Sequence, residues 1–220
     1  METPSRKLSD FFARHKRFTY QKGETILRAG DIPQGVYFLE RGYVRLYSLS
    51  SEGKDLSLII YQPGDVFPVV WAFFGGEPSI YYFEALSLVV MRRAPREIFF
   101  EFIRTHPDVL LEITQHIIGR FLMTLQRMEY LTFGDAYAKI ASIVMICADS
   151  FGRKEGKSIV IQVPLTHEDV ASLAGVTRET ASIELKKLER KGLIAYQKRN
   201  IVVKYTDKLR KESLIETSLT

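Results

Sequence analysis

The chain has 220 residues, 46% of them hydrophobic, and a formal net charge of +5. No apolar run approaches the roughly 20 residues that a membrane-spanning helix needs, so a soluble protein of one or two domains is expected, with no membrane partner. A single cysteine, Cys147, excludes an internal disulfide and the thiolate set of an iron-sulfur cluster, and its neighbours Ile143, Val144 and Ile146 mark it as a buried apolar residue.

At the N-terminus, METPSRKLSDFFARHKRF has no apolar core with a small-residue cleavage site behind it, so no signal peptide is expected and the cytoplasm is the expected compartment. From about residue 18 to 100 short alternating runs are broken by turns at Gly23, Gly30–Asp31, Gly35, Gly42, Gly53 and Gly64–Asp65, the spacing of an antiparallel barrel or jelly roll of about eight strands. Val36, Phe38, Val44, Leu46, Leu58 and Ile60 are the expected inward residues, with Arg41, Arg45 and Lys54 facing water. Phe67, Trp71, Phe73, Tyr81 and Tyr82 then cluster in one segment. They have two readings: the lining of an apolar pocket for an unknown small hydrophobic or aromatic effector, or side chains that simply fill the barrel.

Between Pro107 and Phe133, the apolar positions Leu110, Ile113, Ile117, Phe121, Met128 and Leu131, with Thr124 among them, recur every three or four residues. That seam is long enough to pack against a second copy of itself, which predicts a parallel homodimer; covering the chain's own barrel is the alternative. His106 and His116 flank the start of this helix, but neither stands at ligand spacing from another His or Cys, so no metal, haem or other cofactor is expected.

Residues 164–205 are the most informative stretch. Thr166 before an apolar-periodic segment, with Asp169 three residues on, predicts a capped helix burying Val170, Leu173 and Ala174. Gly175 supplies a left-handed turn, and Thr177 opens a second helix whose buried stripe is Ala181, Leu185 and Leu188. The other face carries Arg178, Glu179, Ser182, Ile183 and Lys186. Gly192 ends the helix, and two short strands follow around Lys198, Arg199 and Asn200. Two capped helices across a tight turn, then a basic hairpin, predict a winged helix-turn-helix that reads double-stranded DNA. The charge agrees: residues 135–220 hold 15 Lys and Arg against 11 Asp and Glu, whereas the remainder is nearly balanced, 16 against 15. A local basic surplus draws polyanions.

In this order, the barrel, the long helix and the winged helix-turn-helix resemble the cyclic-AMP receptor protein and fumarate-nitrate reduction regulator (Crp/Fnr) family of bacterial transcription factors, over essentially the whole chain. KGETILRAGD, GVYFLERGYVRLY, QPGDVF and above all LTHEDVASLAGVTRETASIELKKLERKGLI carry the resemblance. It implies an α+β chain with a cyclic-nucleotide-binding-like jelly roll as sensor domain (1–106), a dimerisation helix (107–133) and a winged helix-turn-helix DNA-binding domain (134–220). It implies a homodimer on an inverted-repeat promoter site, with RNA polymerase as a further partner and no enzymatic activity.

The chain departs from the family's pattern in two places. Nucleotide-binding members grip phosphate with a Gly-Glu-small segment and an Arg-Ser/Thr pair; here Ser79 and Ile80 stand where that pair aligns, so cyclic AMP is not the expected effector. In the reading helix Glu179 keeps the family's role of accepting from cytosine N4, but Ile183 replaces an arginine, so the half-site should differ from TGTGA or TTGAT and favour T opposite Ile183. Lys186, Lys198 and Arg199, with the N–H groups of Thr166 and His167, are assigned to phosphates. The rival readings are a small-molecule-binding barrel or a metal-dependent barrel enzyme, in either of which the helix-turn-helix contacts protein; the enzyme lacks ligands, since residues 18–100 contain no histidine.

Overall fold

A computed structural model describes residues 6–215. Residues 1–5 and 216–220, which belong to the first and last expected segments and to the N-terminal stretch read for a targeting signal, lie outside the described residues. The chain forms two compact units, one from the residues up to Gly53 with Leu58–Phe121, the other from Lys54–Ser57 with Leu122 onward.

In the first unit α1 (Arg6–Ala13) precedes eight strands: β1 (Lys16–Tyr20), β2 (Thr25–Leu27), β3 (Val36–Arg41), β4 (Val44–Leu49), β5 (Asp55–Tyr61), β6 (Val66–Phe67), β7 (Tyr82–Ala85) and β8 (Val89–Ala94). The short helix α2 (Val69–Phe74) interrupts them after β6, and α3 (Arg96–Thr105) and α4 (Pro107–Phe133) follow. Two four-stranded antiparallel sheets, ordered β1-β8-β3-β6 and β2-β7-β4-β5, make a jelly roll. Gly42 turns β3 into β4 with φ +90°, and a Cβ there would sit 2.2 Å from the Leu88 carbonyl oxygen, so only glycine fits.

Two apolar cores flank the β1-β8-β3-β6 sheet. Inside the roll, Tyr37, Leu39, Val44, Leu46, Tyr61, Phe67, Phe83 and Met91 are buried together. Behind that sheet, Val36, Phe38 and Ala94 pack against Leu8 and Phe12 of α1, Phe99 and Ile103 of α3, and Val109 and Ile113 of α4. Val44 and Leu46 face inward as expected, and Leu58 packs against the inner core. Ile60 is half-buried. Val36 and Phe38 do not point into the roll: they face the helical layer, and Tyr37 and Leu39 take the inner positions. Because β3 is covered on both sides, alternation says which residues share a face but not which face is inner. Arg41 and Lys54 are exposed. Arg45 departs from its expected solvent position, pairing with Glu84 at 3.2 Å and lying over the Tyr47 ring at 4.3 Å.

Helix α4 spans the expected residues, but its seam divides. Ile113 is buried in the first unit's own core, and Leu110, partly buried, packs against it. Further along, Ile117, Phe121 and Met128 are exposed, as are Ile118, Leu122 and Leu125 beside them. Arg120, on the same helix, pairs with buried Asp65 and lies 4.8 Å over the ring of Tyr61.

In the second unit α5 (Ala136–Phe151) is capped by Asp135, which accepts from the Ala138 N–H. There follow β9 (Gly152–Glu155), β10 (Ser158–Ile161), α6 (His167–Ala174), α7 (Arg178–Arg190), β11 (Ile194–Gln197), β12 (Asn200–Val203) and α8 (Thr206–Glu212). The strands form one antiparallel sheet, β11-β12-β10-β9. Cys147 is buried on α5, and burial pushes its thiol up to about 12, so it stays protonated at neutral pH. Neither the β9–β10 hairpin nor α8 was expected from the sequence; α8 is anchored by fully buried Leu209.

Candidate nucleic-acid interface

Helix α6 starts as its residues dictate. The Thr166 side chain accepts from the Asp169 N–H, and the Asp169 carboxylate accepts from the Thr166 N–H at 2.7 Å, a complete capping box. The Thr166 N–H, assigned to a phosphate from the sequence, is thus engaged by Asp169 in this structure. Gly175 closes the helix in the left-handed region, φ 62° and ψ 36°, at low cost only for glycine. Arg127, in the C-terminal half of α4, donates to the Leu173 carbonyl in the last turn of α6, where the negative end of the helix dipole favours a cation.

After the turn, Thr177 caps α7 by accepting from the Thr180 N–H at 3.2 Å. Ala181, Leu185 and Leu188 are fully buried, which fixes the rotation of α7 about its axis. The remaining face points outward: Arg178, Glu179 and Lys186 are exposed, and Ile183 is 55% exposed. An isoleucine left this open on an otherwise polar face gains nothing from the core. The wing follows, with Gln197 paired to Asn200 so that Lys198 and Arg199 form a two-residue turn. Lys198 adopts φ 57°, as tight hairpin turns require, and both basic side chains are exposed.

One connection was invisible in the sequence. His167, the first residue of α6, places Nδ1 2.8 Å from the Ser182 hydroxyl of α7 and Nε2 3.2 Å from the Tyr196 hydroxyl of β11. The ring therefore bridges both helices of the motif and the wing. Ser182, placed by the sequence on the same face as Arg178 and Ile183, is half-buried and held by this ring.

The aromatic segment of the first unit does not converge on one site. Phe67 is in the inner core, stacked 5.5 Å from Tyr37 and from Phe83, and Tyr81 packs against that core. Trp71 and Phe73 pack against the other cluster, and Tyr82 stacks on Tyr47 at 5.2 Å. The five residues thus fill two cores and flank a strand rather than line one cavity. Ser79 donates its hydroxyl to the Tyr81 carbonyl at 2.8 Å, and neighbouring Ile80 is exposed. Arg96, which the sequence did not single out, clamps the end of α2 by donating to the carbonyls of Ala72 at 2.9 Å and Phe73 at 3.2 Å. Among the described residues no three His, Cys, Asp or Glu side chains are grouped to hold a metal ion, and no helix is long and apolar enough to cross a membrane.

A jelly roll leading through a long helix into a winged helix-turn-helix, with an open polar recognition face, defines a DNA-binding regulator with an attached sensor-type domain. Comparison with known proteins agrees. Residues 17–106 match the cyclic nucleotide-binding domain and residues 138–212 the Crp-like helix-turn-helix domain. The chain is 28% identical over 186 residues to the global nitrogen regulator of Synechocystis sp., covering 84% of this chain and 83% of that one. It is 25% identical over 187 residues to the cAMP-activated global transcriptional regulator CRP of Pasteurella multocida, covering 84% and 88%. Among solved structures, FixK2 from Bradyrhizobium japonicum superposes with a TM-score of 0.78 at 22% identity, over 92% of this chain and 99% of that one. The chain belongs to the Crp/Fnr family of transcription regulators.

Proposed function

We propose that the protein is a homodimeric transcription regulator that places two copies of α7 in successive major grooves of an inverted-repeat promoter site, and that its barrel works without cyclic AMP. The carrying observation is the outward face of α7, with Arg178, Glu179, Ile183 and Lys186 exposed beside the Lys198–Arg199 turn. Glu179 suits cytosine N4 and Ile183 a thymine methyl, whereas Lys186, Lys198 and Arg199 suit phosphates and set the register. Independence from cyclic AMP is supported by the Tyr37, Phe67 and Phe83 rings stacked inside the roll, and by Ser79 and Ile80 standing where a phosphate-gripping pair would be needed.

Affinity for a duplex should fall steeply with salt, with a log–log slope of roughly −0.9 for each phosphate neutralised. Lys198→Ala and Arg199→Ala should each weaken binding on all sequences alike and make that slope shallower by about 1. Titrations of the purified protein and both variants at several salt concentrations check this. A salt-independent association would instead favour the reading in which the helix-turn-helix contacts protein.

A further inference from the structure

The His167 bridge has a chemical property that a purely structural link would lack. A neutral imidazole carries one N–H donor and one bare nitrogen acceptor. With Ser182 at one nitrogen and Tyr196 at the other, one hydroxyl receives the ring's N–H while the other spends its own hydrogen on the bare nitrogen. Whichever tautomer is present, one of the two hydroxyl hydrogens is consumed by the ring. A protonated ring donates at both nitrogens, so both hydroxyl oxygens become acceptors toward it, and both hydroxyl hydrogens are released to donate elsewhere.

The two hydroxyls stand where that matters. Ser182 is next to exposed Ile183 on α7, and Tyr196 is two residues before the Lys198 turn of the wing. We infer that His167 takes up a proton when duplex DNA binds, and that the resulting imidazolium turns the Ser182 and Tyr196 hydroxyls into donors toward the phosphate oxygens while adding a positive charge of its own. The inference rests on the reading that α7 and the wing meet DNA.

The surrounding charges permit it. One turn to either side of Ser182 on α7 stand Arg178, Glu179 and Lys186. β11 contributes Tyr196, whose hydroxyl is held protonated by burial and by the negative charge of Glu189. On α6, Asp169 is turned back to Thr166, and Glu168 is exposed. The large change on binding is the arrival of phosphates, which favour the charged ring. The sign follows: the complex holds more protons than the free protein, so affinity is greatest at low pH and is lost as pH rises.

The test measures the affinity of the full-length protein for a duplex bearing its selected site from about pH 5.5 to 8.5, the range over which histidine titrates. It also counts protons by calorimetry in buffers with different heats of ionisation. For the native protein, affinity should fall by up to about tenfold per pH unit for each bound protomer, with up to about one proton taken up per protomer. His167→Gln, whose amide offers one donor group and one acceptor, should flatten the pH profile and abolish most of the proton uptake. Tyr196→Phe, which leaves the bridge one acceptor short, should reduce both. Equal pH profiles and equal proton counts in native protein and His167→Gln would overturn the inference while leaving DNA binding intact. Failure of the native protein to bind DNA at any pH would overturn both. A native protein that binds the duplex with no proton uptake and no pH dependence would overturn the inference without any variant, so a misfolded mutant does not blunt the test.

Discussion

Replacing Phe121 and Met128 together with glutamate is expected to turn the protein into a monomer and to lower its affinity for a two-half-site duplex by roughly 10²–10⁴-fold, the gain that linking two binding modules ordinarily supplies. Each side chain is 60% exposed on the isolated chain, so the change removes little intrachain packing. Stability of the separate protomer should move by no more than about 0.5 kcal/mol per substitution. Ile117, Ile118, Leu122 and Leu125 are also exposed, which leaves an apolar stripe on α4 far broader than solitary surface residues would produce. Sedimentation equilibrium reads the oligomeric state, and titration on one and on two half-sites reads the avidity. An unchanged dimer would place the interface elsewhere.

The second large effect concerns which base is read. Ile183→Arg should shift the preferred base opposite residue 183 from T to G, by roughly 1–3 kcal/mol of discrimination, because a guanidinium donates to O6 and N7 of guanine while an isoleucine only meets a methyl group. Ile183 is 55% exposed on the outer face of α7, so the arginine should be accommodated without disturbing Leu185 or Leu188 beneath. The added charge will strengthen binding to all DNA, so the informative quantity is the ratio of affinities for duplexes differing only at that base pair. The same preferred base in native protein and variant would show that residue 183 does not read it.

The helix-turn-helix was legible because its signals are local. Thr166 with Asp169, Gly175 in the turn and Thr177 before α7 each do their work within four residues, and the structure realises all of them. The strand count and the span of α4 were legible for the same reason: turns and apolar periodicity are written along the chain. Faces were harder to assign where an element is covered on both sides. β3 reads as one apolar run, so nothing in Val36–Leu39 says that Tyr37 and Leu39 look into the roll. A periodic stripe on α4 likewise does not reveal that Ile113 meets its own chain's core while Phe121 remains open.

Adjacency from Phe67 to Tyr82 left two readings open, a pocket lining or side chains that fill the interior; α2 and the turn after it send Phe67 and Tyr81 to one core and Trp71 and Phe73 to the other, which is the filling reading. The His167 bridge joins residues 15 and 29 positions apart through the packing of three elements, and no pattern in the sequence marks it. Arg96 is equally silent, since its partners are backbone carbonyls 23 and 24 residues away.

On the proposed function, two copies of the chain read a specific inverted repeat without a cyclic nucleotide. Selection of bound duplexes from a randomised pool by the purified protein, with no nucleotide added and sequencing at two salt concentrations, tests it most directly. The expected result is enrichment of a two-fold symmetric site with half-site centres about 34 Å apart, one helical turn, carrying T at the position facing Ile183. A pool that stays unpatterned without nucleotide and acquires a repeat only when cyclic AMP is supplied would show instead that the barrel depends on that nucleotide.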